Sequence, residues 1–299
     1  LLDVSYQPSL DSAKPAPAAQ VLDLSCIPNL DATKVARELQ RRSGGRHTIL
    51  DTSNSLLGDQ GFQEIFQSIL ANEYSRIDLI AQMNRLTSSS VTLLMKRLCD
   101  TKRDVQLRLL DLGWNLIYRE RHSGNKPFLK ALEELIVSDK CPEIVGLECT
   151  GAGPAVCRAI AKGLIAGFET KSTALLPLLA LKLASNDLGD PGLAALAAAI
   201  RTVVSEHESS TVLDTLDLSS CDVGDSGIEA LALALEEEAI DENPAICHLI
   251  LCNNKISDRG ALTLGRALQT SKGLHLDLSS NQIGDRGVAS IAAALERGR

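Results

Sequence analysis

The feature that most constrains this 299-residue chain is that it repeats itself: LDLSSNQIGDRG at 276–287 restates LILCNNKISDRG at 249–260. LDLSSCDVGDSG at Leu216, LKLASNDLGDPG at Leu181 and LDTSNSLLGDQG at Leu50 are further copies. Weaker ones begin at Leu22 (LDLSC), Leu79 (LIAQMNRL), Leu110 (LDLGWNLI) and Val145 (VGLECTGA), which makes nine units. Their asparagine-type positions are Ile27, Ser55, Asn84, Asn115, Thr150, Asn186, Cys221, Asn254 and Asn281, separated by 28, 29, 31, 35, 36, 35, 33 and 27 residues. A period of this size predicts a stacked repeat, because no unit this short can bury its own apolar face.

Each unit divides into a short strand, a turn and a helix. In Leu-x-Leu the leucines point inward and the middle residue outward, because side chains alternate along a strand. The second half of each unit carries an i, i+3, i+4, i+7 apolar stripe, as in Phe62, Ile65, Phe66, Ile69 and in Val288, Ile291, Ala292, Leu295, which predicts a helix with one buried face. Asp59, Asp190, Asp225, Asp258 and Asp285 sit where an N-cap carboxylate would accept the first free amides of its own helix, with Pro191 at a position that needs no N–H. Glycines 61, 192, 227, 260 and 287 follow, as close packing at the helix start would require. Asparagine at the turn predicts a ladder of side-chain bonds to neighbouring backbone; Ser55, Thr150 and Cys221 make a poorer version and Ile27 none, which marks the first unit as an imperfect cap.

The pattern LxLxxNxIxDxG followed by an alanine- and leucine-rich helix resembles the leucine-rich repeats of the ribonuclease-inhibitor-like subfamily, also found in the Ran GTPase-activating protein and the sensor regions of NOD-like receptors. The resemblance implies an α/β solenoid, a horseshoe of about nine repeats with parallel strands on the concave face and helices on the convex face. It covers residues 21–299, with 1–20, which contains Pro15 and Pro17, as an N-terminal extended linker or cap. The longer spacings in the middle depart from that subfamily's usual unit and predict extended helices or convex-side loops.

Composition narrows the function. Thirty basic against 38 acidic side chains give a net charge of −8, and no basic stripe suited to phosphate is visible, so nucleic acid is not an expected partner. The apolar run 175–183 is too short for a membrane span and is interrupted by Pro177 and Lys182, so no membrane insertion is expected. Eight cysteines without a CxxC pair point to reduced thiols in an intracellular compartment, cytoplasm or an organelle interior. There is no GxxxxGK, GxSxG or HExxH motif and no Gly-rich dinucleotide turn, so neither catalysis nor a cofactor is expected.

Three places draw attention as partner-binding candidates. The outward strand column reads Asp23, Asp51, Ile80, Asp111, Gly146, Lys182, Asp217, Ile250, Asp277; its aspartates either steer a basic partner or are the solvated residues that LDLS strands commonly carry. Unit four has an insertion at about 118–126, with Tyr118, Arg119, Arg121 and His122 following the only tryptophan, Trp114. An aromatic beside arginines suits an interface, and the alternative is an ordinary solvated loop over a packed Trp114. His248 and His275 occupy equivalent positions in adjacent units and should lie about 5 Å apart, near Cys252. Two surface histidines are the simpler reading, since parallel strands bring like residues together without any metal.

The expected function is a non-enzymatic scaffold, adaptor or subunit of a larger assembly that binds another protein, with a basic surface or a large complex as partner, through the concave face, the unit-four loop or both. Regulation of a small GTPase, or service as the repeat sensor region of a larger receptor, are the alternatives.

Overall fold

The structure is a computed structural model that describes residues 19–42, 47–71, 76–103, 105–118, 125–170, 177–206, 212–236, 244–269 and 273–297. Strand and helix alternate throughout: β1 (Gln20–Asp23), α1 (Ala32–Arg42), β2 (His47–Asp51), α2 (Gly58–Ala71), β3 (Arg76–Ile80), α3 (Ser88–Asp100), β4 (Leu107–Asp111), α4 (Asn125–Val137) and β5 (Ile144–Gly146). The series continues with α5 (Pro154–Thr170), β6 (Ala180–Lys182), α6 (Gly189–Glu206), β7 (Leu213–Asp217), α7 (Asp225–Glu236), β8 (Ile246–Ile250), α8 (Asp258–Ala267), β9 (His275–Asp277) and α9 (Asp285–Arg297). The strands form one parallel sheet in the order β1 to β9, so each strand pairs only with those of the adjacent units. Strands stack about 4.8 Å apart, whereas packed helices need 8–10 Å. The sheet is therefore the concave side. Two of the longer central spacings, those of units five and six, are taken up by α5 and α6, at 17 and 18 residues against 13, 12 and 10 in α4, α7 and α8.

The repeat leucines fill the space between sheet and helices. Leu50, Leu79, Leu110, Leu181, Leu216 and Leu249 are buried, as are the helix stripes that face them. The exception is the final stripe, where Val288 and Leu295 are 59% and 55% exposed. A stripe is covered from both sides by adjacent units, and among the described residues unit nine has a neighbour on one side only.

The asparagine ladder fastens each unit to the one before it. Asn254 Oδ1 accepts from the backbone N–H of Cys221 and Val223, both at 3.0 Å, while its Nδ2 donates to the carbonyls of Leu218 and Leu251. Asn84, Asn115 and Asn186 repeat the arrangement. Ser55 keeps part of it, accepting from Ile27 N and donating to Leu24 O. Thr150 donates to Leu147 O, within its own unit, and the preceding turn adapts: Ile117 N turns to Asn115 O, while Tyr118 N bonds Thr150 O as Gly58 N bonds Asn84 O.

The helix-start aspartates work differently from the expected N-cap. Each lies in the first turn of its own helix and reaches forward to the next unit. Asp59 accepts from Thr87 N, Thr87 Oγ1 and Ser90 Oγ; Asp190 from Gly224 N; Asp225 from Ser257 N, Ser257 Oγ and Gly260 N; Asp258 from Gly284 N and Gly287 N. The caps themselves are residues such as Thr87 and Ser257. This explains the glycines: a Cβ on Gly227 would sit 2.8 Å from Asp190 Oδ1, and one on Gly287 2.7 Å from Asp258 Oδ1. Among the described residues unit one has no predecessor in the sheet, and it supplies its own carboxylate, Asp31, which accepts from Thr33 N and Lys34 N.

Candidate protein-binding face

Strand register assembles the outward column without a break. Asp23 pairs with Asp51, Asp51 with Ile80, Ile80 with Asp111, Asp111 with Gly146, Gly146 with Lys182, Lys182 with Asp217, Asp217 with Ile250 and Ile250 with Asp277. The aspartates have a local task as well. Oδ1 of Asp51, Asp111, Asp217 and Asp277 accepts the backbone N–H two residues on, at 2.8, 3.0, 2.9 and 2.9 Å. Such bonds close the strand end into its turn. They commit one oxygen of each carboxylate.

Units four and five hold the densest charge on this face. Asp111 is buried and bonded through Oδ2 to Gln82 Nε2 at 2.7 Å. Glu148, two residues beyond β5, converges on the same point from the next unit. A Cβ on Gly146 would lie 2.9 Å from both Asp111 Oδ1 and Glu148 Oε2, and one on Gly113 3.3 Å from each. The two glycines leave the space into which both carboxylates fold. Burial, then the Asp111 charge, pushes the Glu148 carboxyl up to about 7, with Lys182 opposing and Asp217 adding to the shift. Glu148 Oε2 is shielded from solvent and accepts no hydrogen bond.

His248 and His275 stand opposite each other on β8 and β9, with ring centroids 4.7 Å apart and planes 14° from parallel. Stacked rings direct their nitrogens side by side instead of converging them on one ion. Among the described residues no group of three or more His, Cys, Asp or Glu is placed to hold a metal.

In unit four, Trp114 is 52% exposed at the turn. Tyr118 goes the other way. Its ring is buried and lies 6.2 Å from that of Phe128, which makes it core and not a surface contact. Arg119, Arg121 and His122 lie outside the described residues.

The sequence reading missed one charged cluster on the sheet face. The β3–β4 register shifts between Ile77 and Asp78, leaving Arg108 as the extra residue of a bulge. Its guanidinium binds both oxygens of the buried Asp78. His47 Nε2 approaches Asp78 Oδ1 to 3.1 Å without hydrogen-bond geometry, and Arg76 reaches Glu143 across β4. Only an acidic residue at 78 with basic ones at 76 and 108 could have signalled it.

All eight cysteines are free thiols. Among the described residues no helix is long and apolar enough to cross a membrane. A family model for the leucine-rich repeat matches residues 176–197, 209–232 and 274–292, which contain β6, β7 and β9 with the first part of the helix that follows each. No curated protein matches the sequence.

Proposed function

We propose, from the premise that this chain is a leucine-rich-repeat protein, that it is a non-enzymatic platform which captures another protein on its concave face. Leucine-rich repeats generally mediate protein–protein interaction. The observation that carries the reading is the unbroken outward column of β1 to β9, about 40 Å of fixed sheet on which side-chain positions are set by backbone pairing. A surface this ordered binds with little loss of its own conformational freedom. Asp51, Asp217 and Asp277 each retain one carboxylate oxygen beyond the strand-end bond, which favours a basic partner surface. The LxLxxNxIxDxG signature, with helices between the strands, supports placing the chain with the ribonuclease-inhibitor-like subfamily.

The test is affinity capture from the native cell at low and high salt, with the wild-type chain beside an Asp217→Lys/Asp277→Lys variant. The expected result is a defined partner that is lost from the variant and released as salt rises. Equal recovery on both baits, independent of salt, would remove the acidic-face reading.

A further inference from the structure

We infer that the turn edge of units two to four is where this platform grips its partner, and that the partner presents there a protein segment in which a lysine or arginine lies beside large apolar side chains. The inference rests on the platform reading above and adds a location and a chemistry to it.

The parallel ladder continues past the strands into the turns. Asn54 N donates to Gln82 O, Met83 N to Gly113 O and Trp114 N to Glu148 O, so the turn residues form a column of their own. That column reads Cys26, Asn54, Met83, Trp114, Cys149, Ser185, Ser220, Asn253 and Ser280, and every member has a φ between 51° and 59°. Left-handed backbone disfavours bulky side chains and is tolerated best by asparagine and glycine. Units six to nine follow that preference with serine and asparagine. Units three and four place methionine and tryptophan there instead and leave them 43% and 52% exposed. Leu56 and Leu116, at 37% and 54%, extend the same edge, with the exposed Arg85 at the equivalent position of unit three between them. Neither the turn nor the core needs these four apolar side chains. An exposed apolar cluster of this kind marks an interaction surface, and tryptophan is prominent among interface anchors.

Charge complementarity identifies what covers it. Directly behind Trp114, Asp111 and Glu148 close over Gly113 and Gly146. Asp111 is supplied with donors by Gln82 and Gly113, while the inner oxygen of Glu148 has none. Two carboxyl groups pressed together with an acceptor unmet favour an incoming cation that donates hydrogen bonds and takes the place of a proton. Lys182 on β6 offsets the pair only in part. An extended segment lying along the edge would seat its apolar side chains on Trp114, Leu116, Met83 and Leu56 and turn a lysine or arginine inward to the carboxylates.

A phage-displayed library of random dodecapeptides, selected on the immobilised full chain, tests this. Enriched sequences are expected to place Lys or Arg within a few positions of aromatic or aliphatic residues. A synthetic representative should lose at least tenfold in affinity to Trp114→Ala/Leu116→Ala and several-fold to Glu148→Gln, with little change against Asp217→Lys/Asp277→Lys. Thermal melts of the variants confirm that they fold, as substitution of exposed side chains should allow. Enriched sequences without a basic residue, enrichment no greater than on Trp114→Ala/Leu116→Ala, or binding unaffected by that variant would each overturn the inference. Peptides sensitive only to Asp217→Lys/Asp277→Lys would overturn it while leaving the platform reading in place.

Discussion

Asp225 Oδ1 accepts the backbone N–H of Gly260 at 3.0 Å, and a Cβ on Gly260 would sit 2.5 Å from that same oxygen. A carboxylate in one unit thus fixes both the first turn and the residue type of the next. Asp258 and Gly287 repeat both the bond and the close approach, and Asp190 and Gly227 the close approach, which makes it a joint of the solenoid.

Gly260→Ala should therefore destabilise the protein by about 2 kcal/mol, although alanine is the better helix former. Asp225→Ala removes three bonds and should cost a similar amount. The double variant should cost less than the sum, with a coupling of about 1 kcal/mol in urea unfolding. Strict additivity would contradict a shared joint.

Asn254→Ala takes the side-chain partner from three backbone groups, the N–H of Cys221 and Val223 and the Leu218 carbonyl, while the Leu251 carbonyl keeps Asn281, and should cost about 2–4 kcal/mol. Thr150→Ala removes a single bond to Leu147 O and should cost about 1 kcal/mol. Urea midpoints check the order, and a reversed ranking would mean that the ladder contributes little.

Because the Glu148 pKa is raised to about 7, the folded chain holds a proton that the unfolded chain releases at ordinary glutamate values. Stability should fall as pH rises from that ordinary value through about 7 and then level off, by on the order of 3 kcal/mol at most. Glu148→Gln should flatten this slope and raise the melting temperature at pH 8. Parallel pH profiles for the two proteins would show that Asp111 and burial do not act on Glu148 as described. At the acid end the direction reverses. Burial of Asp225 is outweighed by bonds from Ser257 and Gly260, which hold its pKa below the usual carboxylate range, so its contribution is lost as pH falls through that value.

Thiol labelling should separate the cysteines by burial. Burial pushes Cys157 and Cys221 up to about 12, so at pH 7.5 both should resist alkylation until the chain unfolds, whereas the exposed Cys26 should react in the native state. Mass spectrometry of the labelled peptides reads the result directly. Early labelling of Cys221 would place its turn outside the core.

The strand, turn and helix of each unit could be read from sequence because they follow local periods, two for Leu-x-Leu and 3.6 for the helix stripes. The asparagine ladder and the proximity of His248 to His275 follow from repetition itself, since register brings equivalent positions together. The direction of Asp225 could not be read. A carboxylate at a helix start serves its own helix in an isolated unit, and only stacking brings the next turn within reach. The Arg108 bulge shifts register by one residue without altering the repeat pattern. The pairing of Asp111 with Glu148 depends on two glycines in different units, and the burial of Tyr118 on packing beside Phe128; neither is a local property.

Lysine acetylation footprinting of the captured complex most directly tests the claim that the sheet face is the binding face. Lys182 lies on β6, while Lys130 on α4 and Lys162 on α5 are exposed on the helical side. The account predicts that partner binding protects Lys182 and leaves Lys130 and Lys162 as reactive as in the free chain. Protection of Lys130 and Lys162 with Lys182 unchanged would contradict it.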